Sequence, residues 1–526
     1  MKKTNYATGE KFLLWGVMIF YCFFTALGTL HHELWYDEAQ AWCLARDNTF
    51  PELLNQLTYE GHPPLWYLVL FVLSQLGFGC NSMLVVSWLA SCLTVCLVLF
   101  KSPFNNYVKA AFVLSGGMIY YMPVVSRVYC LIPLLLFSVS VIYPKRNDYP
   151  VAFGLIIACL ANTHICMSGF VGIVGIYMLI DYFKGLRSDP MNLKIRKTLG
   201  LFIAAFGVAT LVFPLLGSLS NNNITSSANY SISDTLKSVL CSFQNISLAM
   251  IDYTSDSLFT KLLAGAIGSM MVIYLLLLRH YLKGLTMAVT YITVYIFTIE
   301  VIWYTHPQRG FSFLYTLVCI YWIAKQNESP VRYCYKFTDN LETEGLRLLT
   351  DKILRIDKAF DKWITVFLCV ILFLTSPSGI MLWSYDLHNS FSLSRNCAEY
   401  IEYNLPDNSV VLVDNDVFPS SVSAYLPNTH FYSMTLQKFL SFDTNRVIET
   451  EVNSEKVVSD LSGFEHIYYL KYDTVSGMYE DCFIDNKTPI YSASSHVVDY
   501  VVVKCVQIYE TDLSEVEYTV RQMEVT

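Results

Sequence analysis

The sequence predicts a polytopic α-helical membrane protein followed by a small α/β domain outside the membrane. Three observations carry that fold class. The 526 residues are 54% hydrophobic and 15% charged, whereas soluble domains are roughly a quarter charged. Apolar runs of spanning length recur as far as residue 385. The balance then reverses, for residues 386–526 hold 8 basic and 22 acidic side chains and cannot span.

The elements follow in order. The first apolar run, 11–30, follows a Met-Lys-Lys start and lacks a small-residue cleavage site near Leu30, so it reads as an uncleaved spanning helix. Further runs at 82–100, 107–123, 127–143, 149–163, 165–183, 198–217, 258–279, 284–303, 309–325 and 362–385 bring the expectation to about eleven spans. The run 63–78 is shorter and opens with Pro63-Pro64, and is read as a juxtamembrane or re-entrant helix. Basic residues then set orientation. Lys2, Lys3 and Lys11, Lys101 and Lys109, Lys145 and Arg146, Lys184 through Lys197, Arg279 and Lys283, and Lys325 through Lys362 all fall on one side, which the positive-inside rule makes cytoplasmic. The loops 31–81, 123–127, 163–165, 218–257 and 304–308 then face outward. Of these, 218–257 is expected to rest on the membrane surface. Residues 326–361 form a charged cytoplasmic connector within the transmembrane unit, 1–385. In 386–526, short β-rich runs at Ser409 to Val413, His466 to Tyr472 and Val497 to Tyr509, after a helix-like stretch from Asn396 to Tyr403, predict a small extracytoplasmic α/β domain.

Several chemistries are excluded or disfavoured. The net charge of −8 gives no reason to expect a nucleic-acid partner. The cysteines, such as Cys92, Cys96, Cys159 and Cys369, sit in apolar runs without CxxC or Cys/His spacing, and read as small hydrophobes. No Walker A loop and no GxGxxG after a strand marks a nucleotide-sugar site.

The informative polar residues gather in the predicted outward turns. Asp37 and Glu38 lie just past the first span, and Glu60 and His62 belong to an EGHPP turn. Arg127 and Tyr129 follow in VVSRVY, His164 in ANTHIC, and His306, Gln308 and Arg309 in THPQRG. Singly, each has a simpler explanation. Asp37 could cap a helix beginning near Glu38, Glu60 could be a solvated loop residue, and His62 could sit at the interface. Arg127 or Arg309 could snorkel to headgroups, and His164 could be a hydrogen-bonded core histidine. Together, on one inferred face, they point to a wet cavity open to the exterior.

A carboxylate among cations suits transfer from a lipid-linked phosphate donor. Asp37 would deprotonate an acceptor hydroxyl, with Glu38 positioning it or binding the acceptor. His62, Arg127 and Arg309 would hold the departing phosphate, while Glu60, Tyr129, His164, His306 and Gln308 would line the cavity. A base opposite the leaving group implies inversion at the sugar carbon. No separate general acid is required, because phosphate is already a good leaving group, and no cofactor is assigned. A divalent metal beside Asp37 and Glu38 stays open, although two carboxylates are too few for a dedicated cage.

WYDEAQAW at 35–42, EGHPPLWYLVL at 60–70, SRVYCL at 126–131, TH at 163–164 and QRGFSFLYTLVCIYW at 308–322 carry a family resemblance. In content and order they resemble the GT-C superfamily of polyprenyl-phosphate-sugar-dependent membrane glycosyltransferases, closest to the protein mannosyltransferase/aminoarabinose transferase group. The resemblance covers roughly residues 10–385. It implies Asp37 as catalytic base, His62 at the place of a basic residue that meets the lipid phosphate, and Arg127 as the arginine of the second outer turn. Some members have Lys where His62 stands, so its charge would depend on pH here. Some have a second aspartate near the SRVY turn, where this chain has Tyr129. The implied partners are a polyprenyl-phosphate-linked sugar, an extracytoplasmic acceptor hydroxyl on a glycan, lipid or protein, and the lipid bilayer. Sparse Gly/Pro and short loops point to a bacterial cytoplasmic membrane, with the site facing outward. The competing classes are a transporter or flippase of polyprenyl-linked glycans, which would show repeated halves and broken midplane helices, and a non-enzymatic membrane assembly protein.

Overall fold

Uninterrupted apolar sequence favours helix, because in hydrocarbon every backbone polar group must be satisfied within its own segment. The computed structural model describes residues 8–220, 232–251, 257–299, 305–331, 359–413, 417–442, 453–472, 487–497 and 502–525. Among them, seven helical stretches are long and apolar enough to cross a membrane: Lys11–His31, Ser82–Lys101, Val128–Lys145, Ile165–Gly185, Met191–Val212, Leu258–Leu278 and Phe360–His388. The chain is thus a multi-pass membrane protein by composition and helix length. Helix α1 (Thr8–His31) leaves Phe12, Trp15, Ile19, Phe20, Phe23 and Leu30 exposed, a stripe that suits lipid.

Three short helices follow α1: α2 (Tyr36–Asp47), α3 (Phe50–Glu60) and α4 (Leu65–Gln75). The last has 11 residues. At 1.5 Å per residue it is about 17 Å long, too short for a hydrocarbon core of about 30 Å. The bundle continues through α5 (Ser82–Lys101), α6 (Asn106–Val113), α7 (Leu131–Ile142), α8 (Pro150–Ala161), α9 (Ser168–Gly185) and α10 (Met191–Ser220). It closes with α11 (Ile232–Ile251), α12 (Leu258–Leu278), α13 (Leu282–Phe297), α14 (Pro307–Asn327), α15 (Phe360–Leu374) and α16 (Ser376–His388).

The structure departs from the expected spans in physically legible ways. The run 107–123 is broken: α6 stops at Val113, and after Ser115-Gly116 the chain makes a single π turn, Gly117–Tyr121. Backbones cross there, since a Cβ on Gly379 would meet the Gly116 Cα at 2.5 Å. The run 309–325 is α14, in which every residue from Pro307 to Ala324 is buried. Its Gln308, Arg309, Ser312 and Thr316 make it too polar for lipid, so it is enclosed by α7, α11 and α13. Helices α8 and α13, of 12 and 16 residues, fall short of spanning length. The 218–257 segment is not a surface loop where it is described. Residues 232–251 form a helix packed on α12 and α14, with Ile246, Ala249 and Met250 buried. Most of the expected connector, 332–358, lies outside the described residues.

The C-terminal part is a six-stranded sheet in the order β3-β2-β1-β4-β6-β5. The strands are β1 (Ser409–Val413), β2 (His430–Ser433), β3 (Lys438–Phe439), β4 (His466–Tyr472), β5 (Tyr491–Val497) and β6 (Val502–Thr511). β1 runs parallel to β2 and β4, with Val411 opposite both Phe431 and Tyr468, and the other pairs are antiparallel. Alternation sends successive side chains to opposite faces. Val411, Val413, Tyr468 and Leu470 pack on α17 (Ser394–Asn404) and, at Val422, on α18 (Val417–Ser423). Val410, Leu412, Ile467 and Tyr469 pack on α19 (Ser454–Leu461) and α20 (Leu513–Val525).

This sheet domain docks on the segment after α1. The Glu33 carboxylate accepts from the backbone N–H groups of Ser392 (2.8 Å), Leu393 (3.0 Å) and Arg395. Arg46, near the end of α2, donates to the Ser423 carbonyl at 2.9 Å.

Candidate active site

The site is assembled where the ends of several helices meet. Thr29 in α1 donates to the Pro123 carbonyl (3.1 Å) and Tyr21 to that of Met118 (2.9 Å), fastening α1 to the segment that leads to Arg127. Gly61, in the left-handed conformation at φ 68°, ends α3 and turns the chain so that His62 precedes Pro63-Pro64. The Leu65 N–H then donates to the Asn162 carbonyl at 3.2 Å, joining the His62 turn to the turn that carries His164.

Asp37 is the second residue of α2, where the helix dipole favours a carboxylate. Its Oδ2 lies 2.6 Å from Nη1 of Arg127, and its side chain remains 30% exposed. It does not cap the helix: Trp35 is the cap residue, and Glu38 accepts from the Trp35 N–H at 2.9 Å. The Arg127 guanidinium lies 5.6 Å from the ring centroids of both Trp35 and Tyr129. The Tyr129 hydroxyl accepts from Nε of Arg309 at 3.1 Å, and Tyr295 donates to the Arg309 carbonyl at 2.8 Å. One tyrosine therefore separates the two arginines while contacting both.

Three histidines complete this face. The His164 ring lies 5.0 Å from Tyr129 and 5.8 Å from His62. Its Nδ1 accepts from the Cys166 N–H at 3.1 Å, so the neutral ring carries its proton on Nε2, which is buried without a partner among the described residues. Burial, reinforced by Arg127 and Arg309, pushes His62 and His306 down to about 3. His164 is pushed well below its ordinary value by burial, Arg309, His62 and Arg127. All three are neutral donors or acceptors at neutral pH. In the free protein, burial and the two arginines thus disfavour the cationic form of His62. Gln308, beside Arg309, is buried with Oε1 unpartnered among the described residues. Glu60 sits at the margin, accepting from Gln40 Nε2 at 3.0 Å, with the Tyr67 hydroxyl at 3.5 Å.

Of the two expected places for Glu38, positioning Asp37 or binding the acceptor, its surroundings fit the first. It is fully buried. Its Oε2 meets Nε2 of His32 at 3.0 Å, and its Oε1 accepts from the Ser126 N–H. Nδ1 of His32 meets Asp386 Oδ2 at 2.7 Å, and Tyr120 donates to the same oxygen at 3.1 Å. Burial disfavours the His32 cation, but Glu38 and Asp386 outweigh it and raise the imidazole to about 10. Asp37 and Glu38 thus turn to different partners. Among the described residues, no group of three or more His, Cys, Asp or Glu side chains is arranged to hold a metal ion.

Sequence reading missed His32, Gln40, Tyr67, Tyr295 and Asp386. Two of them carried a signal: His32 is six residues before Glu38, and Asp386 is an acid closing the last apolar run. No family model matches the chain, and no curated protein matches it.

Proposed function

We propose that this chain is an inverting GT-C-type glycosyltransferase. It would move a sugar from a polyprenyl-phosphate donor to an acceptor hydroxyl outside the cytoplasm. The observation that supports this best is the Asp37–Arg127 pair, partly open to solvent, beside a second arginine and three neutral histidines. Two guanidinium groups face the carboxylate of Asp37, with Glu60 held at the margin by Gln40 and Tyr67, so a departing phosphate would meet positive charge between the arginines.

In this reading the donor phosphate draws Arg127 from Asp37 and binds Arg127 and Arg309, with His164 Nε2–H donating to a phosphate oxygen. Arginine suits this through its paired, planar donors. The freed Asp37 takes the proton of the acceptor hydroxyl. The acceptor oxygen forms a bond to the anomeric carbon from the opposite face, and the carbon–oxygen bond to phosphate breaks. The electron pair leaves on the polyprenyl phosphate. Glu38 holds the helix carrying Asp37 and makes no contact with substrate.

The larger frame follows from the same reading. About eleven segments would cross the bilayer, counting the enclosed and shorter helices with the seven long ones. The distribution of Lys and Arg turns the site and residues 386–526 outward, on a bacterial cytoplasmic membrane. The test is binding of a polyprenyl phosphate to the purified protein. Arg127→Ala and Arg309→Ala should each weaken it more than tenfold, about 1.4 kcal/mol. Unchanged affinity in both variants would remove the arginines from a phosphate site.

A further inference from the structure

Two residues of the candidate site, Asp37 and Arg127, come from segments distant in sequence, yet one buried side chain holds the chain neighbours of both. Glu38 is the residue after Asp37, and its Oε1 accepts the N–H of Ser126, the residue before Arg127. Its other oxygen is held by Trp35 N–H at 2.9 Å and by His32 Nε2 at 3.0 Å. His32 is anchored at 2.7 Å to Asp386, near the end of α16. The His32 and Glu38 side chains are fully buried, and that of Asp386 is 2% exposed. The His32 ring also packs edge-on against Phe391, at 4.8 Å between centroids.

We propose that His32 and Asp386 are positioning residues which, acting through Glu38, hold Asp37 and Arg127 in register for the reaction. The proposal rests on the reading of Asp37 and Arg127 as the reacting and phosphate-binding groups. Buried ion pairs add little net stability over a well-packed apolar alternative, because desolvation offsets most of their attraction. A linear Asp–His–Glu array does restrict rotation and translation of the groups at its ends. Here those ends are the last long apolar helical stretch and the two chain segments that form the Asp37–Arg127 pair. A displacement of about 1 Å at reacting groups can cost about a hundredfold in rate, so a rigid link has a use that stability alone does not supply.

The experiment reads the ion pair directly. Arginine modification by phenylglyoxal, mapped by peptide mass spectrometry, reports how well Asp37 shields Arg127. Arg309 and Arg46 serve as internal references, the first bonded to Tyr129 and the second to Ser423. The full-length protein in detergent is compared with His32→Gln, Asp386→Asn and Tyr120→Phe. The first two break the array, and the third removes only a side donor to Asp386. Arg127 modification should rise at least fivefold in His32→Gln and Asp386→Asn, with Arg309 and Arg46 unchanged, and stay at the native rate in Tyr120→Phe. Where sugar transfer is measured as well, kcat should fall in the two array variants while polyprenyl phosphate affinity changes less than threefold. Native Arg127 reactivity in both array variants would overturn the proposal. A uniform rise at all three arginines, or loss of folding in both variants, would also overturn it, by showing a structural role alone. Because labelling needs no turnover, absence of transferase activity would leave this result intact and count only against the proposed function.

Discussion

Replacing Asp37 with Asn separates its proposed role as a base from a purely structural one. The substitution keeps shape and removes charge. The pair it breaks is partly solvated, with side-chain exposures of 30% for Asp37 and 16% for Arg127. Its contribution to stability is therefore about 1 kcal/mol or less. The first-turn carboxylate adds about 0.3–1 kcal/mol through the helix dipole. Together these are small beside the loss of a general base, which costs about 10²–10⁴ in rate, or roughly 3–5 kcal/mol of barrier. Asp37→Asn should thus fold, elute and melt within a few degrees of the parent while losing at least 99% of turnover. Polyprenyl phosphate affinity should hold or rise, because Arg127 no longer has a competing anion. The assays are sugar transfer, thermal unfolding in detergent and phosphate-lipid binding on the same preparation. Turnover within tenfold of the parent would refute the base assignment. An equal loss of folding and activity would return Asp37 to a structural role.

Three further outcomes are expected. Arg127→Lys and Arg309→Lys should not restore polyprenyl phosphate affinity lost in the alanine variants, because a point charge does not reproduce the guanidinium fork; full rescue would argue for simple charge attraction. Stability in detergent should peak near pH 6.5. His32, raised to about 10, stabilises fully below its unfolded value of 6.5 and loses that contribution as pH rises through 10. His62 and His306, lowered to about 3, are protonated first in the unfolded chain, so stability also falls as pH drops from 6.5 toward 3. Melting midpoints that do not change between pH 7 and 10 would contradict the His32 array. Finally, in intact cells a membrane-impermeant maleimide should label Thr450→Cys and not Asn340→Cys; the reverse pattern would invert the topology.

Much of this architecture is legible in the sequence because hydrophobic length and alternation are local signals. The runs Ser409 to Val413 and His466 to Tyr472 coincide with β1 and β4, since buried parallel strands read as continuous apolar and aromatic stretches. Strand β5, Tyr-Ser-Ala-Ser-Ser-His-Val, was not legible: its small polar residues lie at the sheet edge, where packing demands little. Helix α14 was read as a span from its length alone, because sequence shows length but not enclosure by neighbouring helices. The candidate site was legible by residue type, and Asp37, Arg127, Tyr129, Arg309 and the three histidines do converge. The partners that turn Glu38 inward and leave Asp37 facing Arg127 were not legible. Adjacent residues on a helix point about 100° apart, and which of them turns inward depends on Ser126, His32 and Asp386, which are remote in sequence or chemically unremarkable alone.

The most direct test of the central claim is sugar transfer by the purified protein from synthetic polyprenyl-phosphate sugars to a hydroxyl acceptor, with the anomeric configuration of the product read by NMR. A base at Asp37 opposite the departing phosphate should give a glycoside of inverted configuration, release one polyprenyl phosphate per sugar transferred, and yield at least about a hundredfold less product in Asp37→Asn. A product of retained configuration, or transfer within tenfold of the parent in Asp37→Asn, would contradict that assignment.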